Sequence, residues 1–447
     1  MDGPRTAALA VALALLLGLS PVAALPHTGT SAAARPVEAP GSSPSADAPA
    51  SPAADAPIAP VTGGRNTTAY LAISPVDVER SGFGPASIDA GGAASLDRAE
   101  LEGRHSYLSL VESFTTAETT TEREVAVELA LARLDGRVTA LERREAAAQT
   151  AFNGGDMTAR TYLRELAVVD TRADGLSRSL TQLYEFVDSM REPPVSPTRI
   201  AEQKARLVGL RGPVRDRVAD AMRGEAEPVR VFVETSDTAV VLSTVTGSEF
   251  NRQYVREAYL PAARDPGGTD QFRTARGYDL EAARQRASEL YPWTFENAGP
   301  TSTGLRTGEP YLYRAGVYSV TLDHPHGTAG QGDLVTYLDG ATGEVFREVQ
   351  FKDLSEVPTA EPRANSSEGL SIEVNRTRAG GPVSVLVRSN DTGDPVAATV
   401  SIDGEVVGPT GQDGRLWTVA PREAFTVTAR AGGRNVTVGP LLPSTEI

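Results

Sequence analysis

Histidine is the side chain that most readily combines acid–base chemistry with metal binding near neutral pH, and this 447-residue chain contains four. Two of them lie in the run Asp323-His324-Pro325-His326, where alternate histidines of a loop can both reach one ion. A zinc enzyme would also need a third ligand and a base, and the sequence has no HExxH-type helix. We therefore interpret the run as a solvated hairpin loop and predict no metal site.

The sequence lacks the motifs that indicate catalysis. It has no GxSxG elbow, no cysteine nucleophile, no P-loop and no glycine-rich dinucleotide fingerprint. Asp and Glu number 58, but no pair of them stands out as the acid and base of a glycosidase. We interpret Trp293 and Trp417 as core residues. The prediction is a non-enzymatic protein with no catalytic residues and no cofactor, and an unrecognised hydrolase is the least favoured alternative.

The recurring functional signal is the pattern Asn-x-Ser/Thr, which in an exported chain is an acceptor for N-linked glycans. It occurs at five positions: Asn66, Asn365, Asn375, Asn390 and Asn435. Four of the five lie at or after Asn365, so the C-terminal part of the chain is the main candidate for glycosylation.

The charge balance bears on the partner and on the environment. The formal net charge is −15, and only Lys204 and Lys352 among 43 basic residues are lysines. Such an acidic chain is not expected to bind nucleic acid. An acidic surface with arginine in place of lysine resembles that of proteins from salt-loving archaea, which implies adaptation to high salt.

The amino terminus has the pattern of a secretory signal. Arg5 precedes an apolar stretch over residues 7–19, and Val22-Ala23-Ala24 forms a small-residue cleavage site. The stretch is shorter than the roughly 20 residues that cross a bilayer, so we predict a cleaved signal peptide over 1–24. A retained anchor is the alternative, and no transmembrane helix is expected in the mature chain. The protein should therefore be secreted or held at the cell surface, without disulfides because it has no cysteine.

A long helical hairpin over residues 119–190 organises the elements. Apolar residues recur at alternating spacings of four and three along both arms, which is the seam of a two-helix coiled coil. The breaker cluster Asn153-Gly154-Gly155-Asp156 separates the arms. An antiparallel register pairs the seam residues in layers: Val127 with Val187, Leu131 with Leu183, Leu134 with Leu180, Val138 with Leu176, Leu141 with Ala173, Ala148 with Leu166 and Phe152 with Tyr162.

Glu145 interrupts this seam, opposite Val169. A carboxylate between two packed helices needs a partner or water. We expect Glu145 to pair with a neighbouring arginine, Arg144 or Arg172, or to lie where the seam opens to solvent.

Around the hairpin, the first half of the chain has three predicted segments. The signal is followed by an Ala/Pro/Ser-rich spacer over 25–68, which is too polar to fold. A three-helix unit covers 69–225. It contains a lead-in helix at 96–114, the hairpin, and a further helix that Ser196-Pro197 begins.

The second half changes to strands. Residues 226–354 adopt a period of two, with one helix at 280–291, and predict an α+β domain. A linker over 355–368 leads to short alternating strands over 369–447, which indicate a small β-sandwich. The predicted fold class is multidomain α+β, with an antiparallel coiled-coil hairpin and a C-terminal all-β sandwich.

Two stretches resemble known modules. The hairpin Tyr337-Leu338-Asp339-Gly340-Ala341-Thr342-Gly343-Glu344-Val345, which follows a helix and strands, resembles the PepSY family. That resemblance implies a small α+β unit that inhibits peptidases or binds ligands. The runs Val400-Ser401-Ile402-Asp403-Gly404 and Thr410-Gly411-Gln412-Asp413-Gly414-Arg415 resemble carboxypeptidase-regulatory or transthyretin-like (Ig-like) sandwiches, which are structural or binding modules. The whole architecture resembles uncharacterised secreted proteins of haloarchaea.

The leading hypothesis is thus an exported, non-enzymatic cell-surface or extracellular protein that binds an unknown protein or an envelope component. The alternative is a regulator or inhibitor of an extracellular peptidase that acts through the PepSY-like module.

Overall fold

The structure, a computed structural model, describes residues 61–64, 66–248, 251–298, 308, 310–324 and 331–444. The predicted signal peptide over 1–24 and the predicted spacer up to residue 60 lie outside the described residues. The described part is an α+β protein with a C-terminal all-β domain. No helix among these residues is long and apolar enough to cross a membrane.

The first part of the described chain is mainly helical. Its elements are β1 (Val61–Gly64), β2 (Thr67–Leu71), β3 (Arg80–Ala86), α1 (Ala90–Thr115), α2 (Thr120–Asn153), α3 (Ala159–Asp188), α4 (Pro197–Arg206) and α5 (Pro213–Arg223). Thr119 and Glu122 form a capping box at the start of α2. Ser196 caps α4, with Pro197 in the first turn.

The middle part is mainly strands. Its elements are β4 (Val229–Thr235), β5 (Val240–Thr246), β6 (Gln253–Tyr259), β7 (Arg273–Thr274), β8 (Gly277–Tyr278), α6 (Leu280–Leu290), α7 (Pro292–Asn297), β9 (Tyr311–Arg314), β10 (Val317–His324), β11 (Gly332–Asp339) and β12 (Val345–Asp353). The sequence predicts a single strand over 311–322, and this prediction is wrong. Ala315 and Gly316 have φ values of 35° and 76° and turn the chain between β9 and β10.

The C-terminal part contains only strands. They are β13 (Arg363–Ser367), β14 (Leu370–Arg376), β15 (Pro382–Ser389), β16 (Thr399–Ile402), β17 (Glu405–Pro409), β18 (Arg415–Val419), β19 (Phe425–Ala431) and β20 (Arg434–Leu441). They form two four-stranded sheets, β13-β14-β15-β18 and β17-β16-β19-β20, around one apolar core. Two of these strands are absent from the sequence prediction. One is β17, and the other is β13, which lies inside the predicted linker over 355–368.

The long helices α2 and α3 pack against each other, with the predicted seam residues buried between them. The rings of Phe152 and Tyr162 stack with centroids 4.8 Å apart and planes 7° apart, which confirms that layer of the predicted pairing. Helix α1 packs mainly against α3 and only lightly against α2. This asymmetry leaves a groove between α1 and α2.

One antiparallel sheet of eight strands carries the helices, in the order β3-β4-β5-β6-β12-β11-β10-β9. Strand β3 precedes all the helices, yet it pairs with β4 from Arg80↔Thr235 to Ala86↔Val229. Apolar residues of α1, α3, α5, β4 and β5 belong to one buried cluster. The predicted units over 69–225 and 226–354 therefore share a sheet and a core.

Three parts of the chain cover the other face of the sheet. They are the β1–β2 hairpin, helices α6 and α7, and the C-terminal sandwich. Phe232 and Tyr254 of the sheet pack against Val419 of the sandwich. The predicted end of the spacer at residue 68 is wrong, because β1 covers Val61–Gly64, β2 begins at Thr67, and Thr67 and Thr68 are buried.

Candidate functional site

The histidine run predicted as a solvated loop begins at the end of β10. Asp323 and His324 are the last residues of that strand, and Pro325 and His326 lie outside the described residues. Within the described ranges, no group of three or more His, Cys, Asp or Glu side chains is placed to hold a metal ion.

The five sequon asparagines differ in their surroundings, and the structure does not bring them together. Three have exposed side chains for which the described contacts include no hydrogen bond: Asn66, Asn390 and Asn435. The exposed Asn365 donates from Nδ2 to the carbonyl oxygen of Thr437 at 2.6 Å. Asn375 is half-buried and donates from Nδ2 to Oε1 of Glu373 at 3.0 Å.

Glu145 is buried, and its predicted partners are wrong. It pairs with neither Arg144 nor Arg172 but with Arg215 of α5, at 2.8 Å between Nη2 and Oε1. Arg215 also reaches Oε1 of Glu257 on β6, 3.1 Å from its Nε. Glu145 interrupts the apolar seam because the buried guanidinium of Arg215, which belongs to a helix far along the chain, needs a carboxylate partner.

The start of α5 fits closely around the same cluster. Glu257 accepts a hydrogen bond from the backbone N–H of Val214 at 3.2 Å, and Asp170 accepts one from Gly212 at 2.9 Å. A Cβ at Gly212 would lie 1.8 Å from Oε2 of Glu257, so only glycine fits. Burial and a hydrogen bond with the Asp216 carboxyl raise the pKa of Asp170 well above its ordinary value. These buried charges join helices to sheet and are structural.

A groove lies between α1 and α2, and α3 forms the floor of its smaller lobe. It has two lobes, of about 290 and 520 Å³, which share Ser106 and Arg137 in their walls. Gly175 and Ser179 of α3 lie in the smaller lobe. Leu110 and Leu134 lie in the larger lobe.

Small side chains keep the groove open. The wall from α1 presents the hydroxyls of Ser106, Ser109 and Ser113, and the wall from α2 includes Ala126 and Ala130. Beside the smaller lobe, α1 and α3 approach so closely that a Cβ added at Gly175 would lie 3.1 Å from the Cα of Gly103. The close approach of α1 to α3, and not to α2, produces the opening.

The α2 wall carries apolar and cationic side chains in one row. Val125 and Leu129 are 48% and 50% exposed, and Arg133 and Arg137 continue the row at the same four-residue spacing. Single exposed apolar residues are ordinary, but a row of them inside a groove indicates a contact surface.

The cations of this row have no acidic partner among the described residues. Neighbouring ion pairs use other arginines, Arg144 with Glu165 and Arg172 with Glu102, and none on these helices includes Arg133 or Arg137. Arg137 donates to the hydroxyl of Ser106 on the opposite wall. The walls of the larger lobe thus carry two arginines and one carboxylate, that of Glu122, on an acidic protein.

Sequence reasoning missed the groove, because it treats α2 only as one arm of a hairpin. The signal that could have indicated it is the second apolar row, Val125 and Leu129, which lies outside the α2–α3 seam. The position of α1 against α3 could not be deduced from the apolar residues of α1, since Leu101 and Leu108, which are helically spaced, are exposed.

Three family models match the chain. Residues 5–227 match a domain of unknown function (DUF7096), residues 231–358 match a family of unknown function (DUF7094), and residues 361–438 match an archaeal fibronectin-III type-like domain. No curated protein and no solved structure matches it. The C-terminal β-sandwich fits an immunoglobulin- or fibronectin-III-like fold. This agrees with the Ig-like sandwich predicted from sequence.

Proposed function

We propose that this chain is an exported, non-enzymatic cell-surface protein, and that its α1–α2 groove binds an acidic amphipathic helix of a partner protein. The observation that carries the proposal is the row Val125, Leu129, Arg133 and Arg137 along an open groove. Such a row offers apolar anchors at one end and, at the other, two guanidinium groups without an acidic partner among the described residues.

The length of the groove matches that of a helix. Its α2 wall runs from Glu122 to Arg144, which is about 33 Å at about 1.5 Å per residue. A partner helix of about 20 residues would fill that length. It would present an apolar stripe to Val125 and Leu129 and carboxylates to the two arginines.

Charge complementarity selects the partner. The chain carries a net charge of −15, so most of its surface repels acidic partners. Two neighbouring arginines without acidic partners, Arg133 and Arg137, give an acidic helix a favourable place to bind. They also fix the direction of that helix along the groove. Arginine suits this role because its planar group binds a carboxylate in bidentate fashion.

The test uses two fluorescent model peptides of about 20 residues, both with leucines at helical spacing, one flanked by glutamates and one by lysines. The full chain should bind the glutamate peptide at least tenfold more tightly, as measured by fluorescence anisotropy at several salt concentrations. The double variant Arg133→Glu/Arg137→Glu should reverse this preference. Arg143→Glu, an exposed position on α2 outside the groove, is the matched control and should change affinity less than twofold. Equal binding of both peptides, or binding of neither, overturns the proposal.

Export rests on the predicted signal peptide over 1–24 and is supported by the surface sequons. Amino-terminal sequencing of the protein from envelope and medium should find a chain that starts at Leu25. An intact Met1 in the membrane fraction would instead indicate a retained anchor. The archaeal fibronectin-III type match supports an archaeal source, and a haloarchaeal one is our proposal from the charge pattern.

A second candidate function is the regulation of an extracellular peptidase through a PepSY-like module. The order α6, α7, then the meander β9-β10-β11-β12 favours it, as does the pair between Arg286 of α6 and Glu344 beside the β11–β12 turn, 2.5 Å between Nη2 and Oε1. Purification from intact cells distinguishes the two functions. A stoichiometric peptidase supports the second candidate, whereas a non-peptidase partner lost in the Arg133→Glu/Arg137→Glu variant supports the first.

A further inference from the structure

Strand β2 lies across the face of the eight-stranded sheet, directly above β12 and antiparallel to it. The two strands are joined by side chains rather than by a backbone ladder. Nζ of Lys352 donates to Oγ1 of Thr67 at 3.0 Å, and Nε2 of Gln350 donates to the carbonyl oxygen of Ala69 at 2.8 Å. The backbone N–H of Leu71 donates to Oε2 of Glu348 at 2.8 Å. Each step of two residues toward the C-terminus of β2 thus corresponds to a step of two residues toward the N-terminus of β12.

Both backbone groups of Leu71 are held. While its N–H donates to Glu348, its carbonyl oxygen accepts a hydrogen bond from Nη2 of Arg256 on β6. Arg256 and Glu348 are themselves paired at 2.8 Å, and the hydroxyl of Tyr291 donates to Glu348 at 2.7 Å. This buried ion pair thus holds both backbone groups of one residue.

The other end of β2 is held in the same way. Gln331, just before β11, donates from Nε2 to the carbonyl oxygen of Asn66 at 2.8 Å and accepts from the hydroxyl of Thr67 at 2.8 Å. The guanidinium of Arg378 lies 3.6 Å from the ring centroid of Tyr70. An extended segment is therefore fixed at both ends and in the middle.

Alternate side chains of the segment enter the sheet face. Thr67, Ala69, Leu71 and Ile73, which share one side of the extended strand, are all buried, and Thr68 is buried as well. Three of these residues belong to the apolar cluster under α6 and α7, and Thr67 meets the polar side chains at the end of β12.

A sheet face that merely packs in a core is normally apolar, because buried polar groups must all find partners. Here the face carries Arg256, Glu348, Gln350 and Lys352, each of which is buried and reaches the backbone or a hydroxyl of β2. Extended peptides are recognised through hydrogen bonds to their main chain and through pockets for alternate side chains. On this face, side chains of β6 and β12 supply the hydrogen bonds to the main chain.

We propose that the β6–β12 face is a binding site for an extended peptide, and that the chain's own segment over 66–73 occupies it in cis. The ligand class is an extended peptide with Thr, Ala and a large aliphatic residue at alternate positions. This site is separate from the α1–α2 groove, and the inference does not depend on the function proposed for that groove.

The experiment uses the full chain with a protease recognition sequence inserted at Val76, which is 90% exposed in the loop after the segment. After cleavage of the folded protein, the N-terminal fragment should remain bound during size-exclusion chromatography. A labelled synthetic peptide of residues 61–76 should then replace it, with unlabelled peptide as competitor. The uncleaved protein should take up no peptide, because the tethered segment has a high effective concentration.

Peptide variants test the contacts of Leu71 without changing the protein. Replacing the Leu71 N–H by an ester oxygen should weaken binding at least fivefold, and Leu71→Asp at least tenfold. Asn66→Ala, at an exposed side chain, is the matched control and should stay within twofold of the parent. The proposal is overturned if the nicked protein loses its fragment and binds no peptide. It is equally overturned if the fragment never exchanges with excess peptide, or if the ester peptide binds as well as the parent.

Discussion

Arg215 and Glu145 form a bidentate ion pair inside the protein, 2.8 Å from Nη2 to Oε1 and 3.1 Å from Nη1 to Oε2, and both side chains are buried. With its bond to Glu257, the guanidinium of Arg215 ties α2, α5 and β6 together. Removing one partner of a buried pair leaves the other charge without compensation. We expect Arg215→Ala to lower the free energy of unfolding by about 3–5 kcal/mol, measured by denaturant titration.

The control for this prediction is Arg98→Ala. Arg98 pairs with Glu102 four residues along α1, and its side chain is largely exposed, so its loss should cost less than about 1 kcal/mol. Equal costs for Arg98→Ala and Arg215→Ala would show that the buried pair contributes no more than a surface pair.

The sequence located Glu145 in the seam but could not supply its partner. Heptad spacing is a local property, so it places Glu145 opposite Val169 from α2 and α3 alone. Arg215 reaches Glu145 because Gly212 lets α5 approach the sheet, and that approach depends on tertiary packing. Apolar periodicity thus predicted which faces of α2 and α3 are buried, but not which charges are.

The polar face of β12 shows the same limit. In sequence, Glu348, Gln350 and Lys352 alternate with Val349 and Phe351, which is the ordinary pattern of a strand with one face in water. The structure buries these polar residues under β2, whose first residues, Thr67 and Thr68, composition assigned to the spacer. A short polar strand such as β13 carries too weak an apolar pattern to be predicted, because its partner β14 supplies the hydrogen bonds.

Lys352 gives a prediction about pH. Burial, together with the nearby Arg378 and Arg256 and against the attraction of Glu348, lowers the pKa of Lys352 to about 7. Between that value and the ordinary lysine pKa, the unfolded chain binds a proton that the folded chain does not. Stability should therefore rise as the pH increases from 7 to about 9.5, by up to about 1.4 kcal/mol per pH unit.

Lys352→Met is the matched variant, because it keeps the length of the side chain without the charge. The difference in unfolding free energy between wild type and variant should change with pH over this range, which cancels the contributions of other groups. A difference that does not depend on pH would mean that Lys352 titrates at an ordinary value in the folded protein.

The sequons should be used unequally. Asn390 lies exposed in the turn after β15, whereas Asn375 is half-buried and its amide is bonded to Glu373. A glycan needs a side chain that faces solvent, so we expect Asn390 to be modified and Asn375 to be unmodified. Intact mass measurement in a glycosylating archaeal host tests this, because Asn390→Gln should remove one glycan mass and Asn375→Gln none. A glycan on Asn375 would contradict the prediction.

The charge composition predicts a dependence on salt. A net charge of −15 with two lysines repels itself at low ionic strength, and screening relieves that repulsion. The melting temperature should rise from dilute buffer to molar KCl. Melting temperatures measured in sodium sulfate as well distinguish charge screening from general salting-out. We expect KCl alone to give most of the increase in melting temperature. A flat melting temperature in KCl contradicts the halophilic interpretation.

The register of the α2–α3 hairpin is tested by paired cysteines, which the native chain lacks. Phe152 stacks on Tyr162 near the turn of the hairpin. Leu134 precedes Phe152 by the same number of residues by which Leu180 follows Tyr162. The antiparallel arrangement therefore places Leu134 opposite Leu180. Cysteines at Leu134 and Leu180 should crosslink readily. Cysteines at Leu134 and Val169 should not, because Val169 is about 16 Å from Leu180 along α3, at about 1.5 Å per residue. Cleavage at a site engineered into Gly154-Gly155 makes each crosslink visible by gel electrophoresis.

The same register predicts the effect of truncating the facing leucines. Leu134→Ala and Leu180→Ala should each lower the free energy of unfolding by about 2–5 kcal/mol. The two effects should be non-additive, because the residues share a contact. The reverse crosslinking pattern would show that the seam has another register, and with it that the layer pairing derived from the heptads is wrong.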